Sequence, residues 1–453
     1  MLGRTDKLET LEKLYYANNL QIALLDGKTG VGKTTVLKEF LKRKRKYYFA
    51  VRDTIDAFNQ QAFYEEGILQ EFTENGKSAN WQSILEDICK KATCEKFVLA
   101  IDNAQLLNTS FISLIDTLLS MLHKFSNDLR MLVIFSGDGI EFLQKILHEY
   151  QKIITYITLH PLTFHDTLTY LADLGNEDKV LLYGVTGGYP EYLQKIDPTE
   201  NIKQNLFKLF YQENSALSYL GNEFLAKHFR QPRIYHAILY SVSKGALRMK
   251  EIATAINMED NKVSKYVDAL VKIGCLKRMV PINEAGVAKQ CKNICYLFND
   301  NMLFFWYLFV YPYISAIEAG LGNALLRTKI LPNLQKYTQK VFLDICYQHC
   351  LELKARDNFC IDFEHLGFIW PRKGTLKDFR LAAYGSQTVC YMQCCWDKTK
   401  IDLDTIVDLQ QQYKENNKEK YFIVFSRKGF TDRVLANDLR KNNIRLISLH
   451  YFQ

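Results

Sequence analysis

Apolar runs and amphipathic stretches alternate along the first third of the chain. Leu8, Leu11 and Leu14 recur at helical spacing, so residues 1–20 read as a helix. Gln21–Asp26 is a short apolar run entering a glycine-rich turn, which predicts a buried strand. Thr34–Lys46 then has helical character, Tyr47–Val51 reads as a second strand, and a polar, helical region continues to about Thr93. Lys96–Asp102 is a third strand that ends in an acid, Phe111–Lys124 a helix, and Arg130–Ser136 a fourth strand. Strands alternating with helices imply an α/β fold, a mostly parallel sheet covered on both faces.

Beyond about residue 160 the pattern turns helical. Three helical stretches fill 230–281. Two of them, Leu247–Ile256 and Asn261–Ile273, are joined by a turn at Met258–Asp260. Lys277–Pro281, a polar loop and the apolar run Ile294–Phe298 follow, and three helices with a β-hairpin make the winged-helix plan. Val263, Val267, Leu270 and Val271 form the inner face of the second of these two helices, with Lys262, Lys265 and Lys272 mostly outside it. Such a helix can enter a DNA major groove, but three lysines without an arginine also suit a solvated face. From about 335 a third, α/β unit begins. It has a helix at Val341–Leu353 and strands around Phe359–Phe363, Phe379–Ala383 and Val389–Gln393. A helix near Ile401–Tyr413 and a strand at Tyr421–Ser426 complete it. The expected divisions are 1–160, a sheet-based core; 161–228, a helical extension; 229–312, the winged helix and the next helix; and 335–453, the last α/β domain.

Composition narrows the partners. A chain of 453 residues suggests two to four domains, and 48% hydrophobic with 24% charged residues is ordinary for a soluble protein. The formal charge of +8 is mild at this length and does not by itself imply a polyanion. The densest basic run, Lys42-Arg43-Lys44-Arg45-Lys46, falls where a helix should end and suits its dipole; nucleic-acid contact is the alternative. The most apolar stretch, Met302–Ile317, is broken by Pro312 and shorter than the roughly 20 residues a membrane span needs, so it reads as a core helix. Eleven cysteines without a CxxC pair, and no signal peptide, read as a reduced, cytoplasmic chain. Cys346, His349 and Cys350 share a helix face, as Cys291 and Cys295 share a segment, but neither group offers the four ligands of a zinc site.

The chemistry concentrates in Gly27-Lys28-Thr29-Gly30-Val31-Gly32-Lys33-Thr34, which fits GxxxxGK[ST] at every fixed position and lies between a strand and a helix. Its glycines let backbone N–H groups face phosphate oxygens at a helix N-terminus. Lys33 is placed to reach the β- and γ-phosphates of ATP, the Thr34 hydroxyl to ligate Mg2+, and Thr35 to follow at the helix start. Asp102 closes a strand where a carboxylate would hold the magnesium shell, and Ser136 ends the next strand, where it would face the γ-phosphate or merely terminate the strand. Asn103 follows Asp102 and cannot accept a proton, and loss of a general base typically costs about 10²–10⁴ in rate.

With these residues the sequence resembles the archaeal-type ATPases, an AAA-related, signal-transducing branch of the P-loop NTPases. The resemblance rests on Gly3-Arg4 with Leu8, the P-loop, Asp102-Asn103-Ala104-Gln105 where relatives have Asp-Glu-x-Gln, and Ser136-Gly137. It continues in Gly187-Gly188-Tyr189-Pro190-Glu191-Tyr192-Leu193 and in Asp300 with Phe304-Phe305-Trp306-Tyr307. It implies that Pro190 lies near the nucleotide, that Lys152 stands for a family arginine, and that the winged helix packs on the nucleotide site. It also implies a restriction-endonuclease-like last domain. There Gln393 and Cys395 occupy the places of a metal-binding Glu and a Lys, Arg380 or Asp378 that of the upstream acid, and Leu343 that of a Glu beside Asp344. The expected fold is therefore a P-loop NTPase sheet followed by a winged-helix domain and a degenerate PD-(D/E)XK-like domain. The expected function is an ATP- and Mg2+-dependent switch with slow hydrolysis. An ATP-driven DNA-binding or DNA-processing factor and a non-hydrolysing scaffold are the alternatives. Expected partners are ATP, DNA through the winged helix, and a protein through the last domain, with no membrane.

Overall fold

The computed structural model describes residues 3–70, 80–107, 112–125, 128–287, 293–371, 375, 378–396, 399–413, 418–436 and 443–452. They form two compact units: Met1–Leu162 with Tyr189–Tyr192, and Thr163–Gly188 with Leu193–Gln453.

The first unit is built on five parallel strands: β1 (Gln21–Asp26), β2 (Lys46–Ala50), β3 (Phe97–Asp102), β4 (Met131–Gly137) and β5 (Ile154–Thr158), in the order β2-β3-β4-β1-β5. Every residue of β3 and β4 is buried, as continuous apolar runs in a sheet covered on both faces should be. Register sets Leu25 beside Ser136, Asp26 beside Gly137 and Ala50 beside Asp102. The carboxyl ends of β1, β3 and β4 thus share one rim. The strand β5 escaped the sequence reading because it is a short edge strand interrupted by threonines, with one fully buried residue, Ile157. Helix α1 (Thr5–Tyr16) is shorter than the expected 1–20.

Helix α2 (Lys33–Phe40) stops well before Lys46. Arg43 takes a left-handed φ of 60° and the chain turns into β2. The basic run is therefore a turn, and most of it is paired locally. Lys42 meets Glu39 at 2.6 Å, Lys44 meets Glu12 at 2.7 Å and Arg45 meets Glu95 at 3.6 Å. The helix expected from Phe111 runs Ile112–Lys124, with Phe111 outside the described residues.

In the second unit the helices Arg233–Ser243, Met249–Ala255 and Asp260–Lys272 precede β6 (Leu276–Met279), β7 (Ile282–Asn283), β8 (Gly286–Val287) and β9 (Cys295–Phe298). The pairs β6/β9 and β7/β8 are antiparallel, which completes the winged-helix plan. Val263, Val267 and Leu270 are fully buried. The apolar stretch is the buried helix Asn301–Phe309, which Asp300 caps by accepting from the Met302 and Leu303 N–H groups, and Pro312 lies in the 3-10 turn Tyr311–Tyr313. Among the described residues no helix is long and apolar enough to cross a membrane.

The long helix Leu334–Ala355 then leads to a second sheet, β10 (His365–Ile369), β11 (Arg380–Tyr384), β12 (Thr388–Cys395), β13 (Glu419–Ser426) and β14 (Ile444–Ser448), in chain order. Pairing is antiparallel across β10, β11 and β12 and parallel across β12, β13 and β14. One expected strand is wrong: Phe359–Phe363 is irregular, and its two phenylalanines pack ring to ring at 4.9 Å before β10 begins at His365. Aromatic content there signalled burial of a turn, not a strand.

Candidate nucleotide site

The loop between β1 and α2 is shaped by what its glycines must avoid. A Cβ on Gly27 would stand 2.5 Å from the Leu159 carbonyl oxygen. Gly30 and Gly32 take φ of 86° and 93°, where a side chain is strained. The Gly27 N–H donates to the Gly137 carbonyl at 3.2 Å, tying the loop to the end of β4. Behind the loop, the buried Arg4 donates to the Val31 carbonyl at 3.0 Å and the His160 carbonyl at 2.6 Å. That gives the Gly3-Arg4 pair a physical role in bracing the loop.

Lys33 folds back over the loop and donates to the Gly27 and Lys28 carbonyls at 2.6 and 3.1 Å. Burial lowers its pKa, opposed by the nearby Asp138, Asp102 and Asp26. The Thr29 N–H donates to Asp138 at 3.1 Å, and Asp26 accepts from the Gly139 N–H at 2.9 Å. These contacts fix the rim that faces the loop.

Thr34 and Asp102 meet directly: the Thr34 hydroxyl donates to Asp102 Oδ2 at 2.8 Å, and the Tyr48 hydroxyl donates to the same oxygen at 3.2 Å. Burial, then Asp102, pushes the Tyr48 hydroxyl's pKa up, so it stays a donor. A hydroxyl and a carboxylate are hard oxygen ligands of the kind Mg2+ takes while keeping several waters. Thr35 is exposed.

Asn103 has a left-handed φ of 58°, and its side-chain amide donates to the Val51 carbonyl at 3.2 Å. It joins the ends of β2 and β3. Ser136 is fully buried at the end of β4, and its hydroxyl has no hydrogen-bond partner among the described residues. Lys152 is exposed in the 3-10 turn His148–Ile153 that precedes β5. Pro190 lies at the loop, its Cγ 3.8 Å from where a Gly32 Cβ would stand. Two neighbours of Pro190 press closer than sequence reasoning foresaw. Glu191 Oε2 and Tyr189 Cδ1 lie 2.6 and 3.5 Å from the Cβ position of Gly30, and the Glu191 N–H donates to the Gly30 carbonyl at 3.4 Å. No spacing rule finds these contacts, because the segment joins the loop across more than 150 residues.

The positions expected to match a nuclease site lie in and around the second sheet. Cys395 is buried in an apolar cluster with Val389 and Tyr391. Strand alternation puts the half-buried Gln393 on that same face. Asp378 accepts from the Thr375 N–H at 2.6 Å, closing a turn before β11. Asp344 is taken up by Lys340 at 2.7 Å and Asn301 at 3.1 Å. Burial opposes its charge, but Lys340 and Lys277 hold its carboxyl below the usual range. Cys346 and Cys350 are buried on the long helix, which pushes both thiols up, and burial with Arg445 and Arg356 lowers His349 to about 4. Among the described residues no group of three His, Cys, Asp or Glu could hold a metal ion; Cys291 lies outside them.

Residues 1–196 match the family model of an ATPase domain found predominantly in Archaea, and residues 306–406 match a family of archaeal and bacterial proteins of unknown function. Residues 1–196 belong to that archaeal-type ATPase domain family. The whole chain is 22% identical over 443 residues to an uncharacterized protein of Methanocaldococcus jannaschii, covering 94% of this chain and 95% of the relative. Among solved structures, a Walker-type ATPase of Pyrococcus abyssi aligns at 15% identity and a TM-score of 0.48, over 68% of this chain and 96% of its own. The ORC2 protein of Aeropyrum pernix, solved as ADPNP and ADP complexes, aligns at 13% identity and a TM-score of 0.49, over 71% of this chain and 95% of its own. Those structural likenesses are distant and assign no activity. The ATPase-domain match makes the first unit a nucleotide-binding unit.

Proposed function

We propose that the chain is an ATP-dependent switch that hydrolyses its nucleotide slowly, with Mg2+ held by Thr34 and Asp102, Lys33 on the β- and γ-phosphates, and Gly27–Thr35 cradling them. One observation carries the slow step. The residue after Asp102 is Asn103, whose amide is occupied by the Val51 carbonyl. It has no basic atom with which to take a proton from an attacking water. Ser136, a buried hydroxyl at the carboxyl end of β4 with no hydrogen-bond partner among the described residues, is assigned to sense the terminal phosphate. The relay is assigned to Tyr189–Tyr192, with Pro190 at its centre. These four residues cluster with the nucleotide unit, whereas their chain neighbours on both sides belong to the second unit. A change at the loop is therefore covalently linked to the rest of the molecule.

Single-turnover and steady-state ATP hydrolysis on one sample tests this reading. Tight Mg-ATP binding with turnover far below the ~10 s⁻¹ typical of enzymes is expected, and turnover at ordinary enzyme rates overturns it. The DNA-driven alternative is less well supported. On the helix Asp260–Lys272, Lys262 already pairs with Glu259 at 3.2 Å, and Asp260 and Asp268 share the exposed surface with Lys265 and Lys272. Salt-dependent affinity for duplex DNA would revive it.

A further inference from the structure

A cavity of about 660 Å³ opens in the second unit, and its charges are of one sign. Among the described residues, four lysines line it, Lys244, Lys329, Lys336 and Lys340, and no aspartate or glutamate does. Lys340 is neutralised from behind by Asp344 at 2.7 Å. The other three make no ion pair among the described residues. Lys244 makes a long contact to the Leu308 carbonyl, 3.5 Å, and lies 5.3 Å from the centre of the Tyr240 ring. Both Lys244 and Lys336 line the cavity, and burial, then the charge of Lys336, lowers the pKa of Lys244. Elsewhere lysines of this unit find carboxylates, as Lys208 does with Glu200 at 2.7 Å and Lys428 with Glu177 at 2.6 Å. Phe304 and Tyr313 supply an aromatic wall to the same cavity.

We propose that this cavity is a second binding site for a phosphorylated small molecule of nucleotide size, separate from the P-loop. Its phosphates would lie among Lys244, Lys329 and Lys336, and its ring against Phe304 and Tyr313. The volume falls within the roughly 300–1,000 Å³ of small-molecule sites. An anion relieves the repulsion between Lys244 and Lys336. The aromatic wall favours a ligand that carries a flat apolar group besides its phosphates. A nucleic-acid backbone fits less well. It presents a long row of phosphates, whereas these lysines converge on one concavity.

Calorimetric titration of the full-length chain with ADP and with pyrophosphate tests this. The wild-type chain is expected to take up two equivalents of ADP, and Lys244→Ala with Lys336→Ala to remove one of them while leaving the other unchanged. The full-length Lys33→Ala chain should keep the second equivalent, weakened at least roughly tenfold by the two lysine changes and restored by Lys244→Arg with Lys336→Arg. ADP should bind this site more tightly than pyrophosphate. A single equivalent of ADP in the wild type that is indifferent to Lys244 and Lys336, or a second equivalent indifferent to both lysines, overturns the proposal. So does a lysine pair whose loss weakens only a duplex oligonucleotide. None of these results bears on the P-loop assignment, which the Lys33→Ala chain reads separately.

Discussion

The two sheets bury their apolar residues alike and treat their polar positions oppositely. In the first, the rim at the ends of β1, β3 and β4 keeps Asp26, Asp102 and Ser136, all buried polar groups aligned with a glycine-rich loop. In the second, Gln393 and Cys395 stand on a strand whose neighbours Val389, Tyr391 and Trp396 remain buried. A fold needs the apolar pattern; a reaction needs a few polar atoms. Loss of the second leaves the first intact, so the frame alone is no evidence of activity. The comparison can be broken at either sheet.

The largest effect is expected from Lys33→Ala. The ammonium already bonds two loop carbonyls, which it must exchange for phosphate oxygens. Losing a charge-assisted contact of this kind costs about 1.5–3 kcal/mol, roughly ten- to a hundredfold in ATP affinity. Equilibrium dialysis with Mg-ATP reads it, and wild-type affinity in the variant would remove the basis of the nucleotide assignment.

The second sheet should be inert. No Mg2+- or Mn2+-dependent cleavage of plasmid or single-stranded DNA is expected. Gln393→Glu with Cys395→Lys should fail to create it and should lower stability by several kcal/mol, because position 395 is buried among apolar side chains. Cleavage by wild type that Asp378→Ala abolishes would show that the second sheet carries a working nuclease site.

Legibility followed the same division. The β1–loop–α2 unit and β3 were readable because a buried parallel strand is a continuous apolar run and the loop is a fixed spacing of glycines. The strand β5 was not, since a short edge strand mixing threonines with isoleucines resembles any amphipathic stretch. The strands β10 and β14 were missed because β10 mixes His365 and Gly367 into its apolar residues without a clean alternation and β14 starts beside Asn443, after polar sequence. Of the site, Lys33, Thr34 and Asp102 were placed by motif. The Asn103–Val51 bond, the Arg4 brace and the Glu191 contact depend on tertiary proximity that no local pattern encodes.

Asn103→Glu sharpens the comparison by restoring one polar atom to the first sheet. Turnover should rise. The same change puts a longer side chain at φ 58° and removes the bond to Val51, costing about 1–2 kcal/mol. A melting temperature lower by roughly 3–6 °C should accompany the gain. An unaltered rate with the expected melting shift would mean that water positioning is not what limits hydrolysis.

Acid should distinguish the sheets further. His349 lies 4.5 Å from the Phe452 ring, and its pKa falls from the ordinary 6.5 to about 4 when folded. The unfolded chain therefore takes up the proton first, so stability is full above pH 6.5 and declines as pH falls toward 4. His349→Gln should flatten that part of the melting profile without touching nucleotide affinity at pH 7.5. An unchanged profile would assign the acid sensitivity to other groups.

The smallest expected effect lies at the loop. Glu191 holds a carboxylate oxygen 2.6 Å from the Cβ position of Gly30, beside the place where the phosphates of ATP should lie. A like charge beside the phosphates disfavours the ligand. Glu191 is exposed, however, and water and salt screen most of the repulsion. Glu191→Gln keeps the shape and removes the charge, so Mg-ATP should bind roughly two- to fivefold more tightly at low salt and the gain should shrink as salt rises. The Glu191 N–H bond to the Gly30 carbonyl belongs to the backbone and survives the change. Affinity measured at two ionic strengths decides the matter. A gain that does not depend on salt would point to altered packing against Tyr189, and a loss would mean that the carboxylate supports the loop by bonding rather than opposing the ligand by charge.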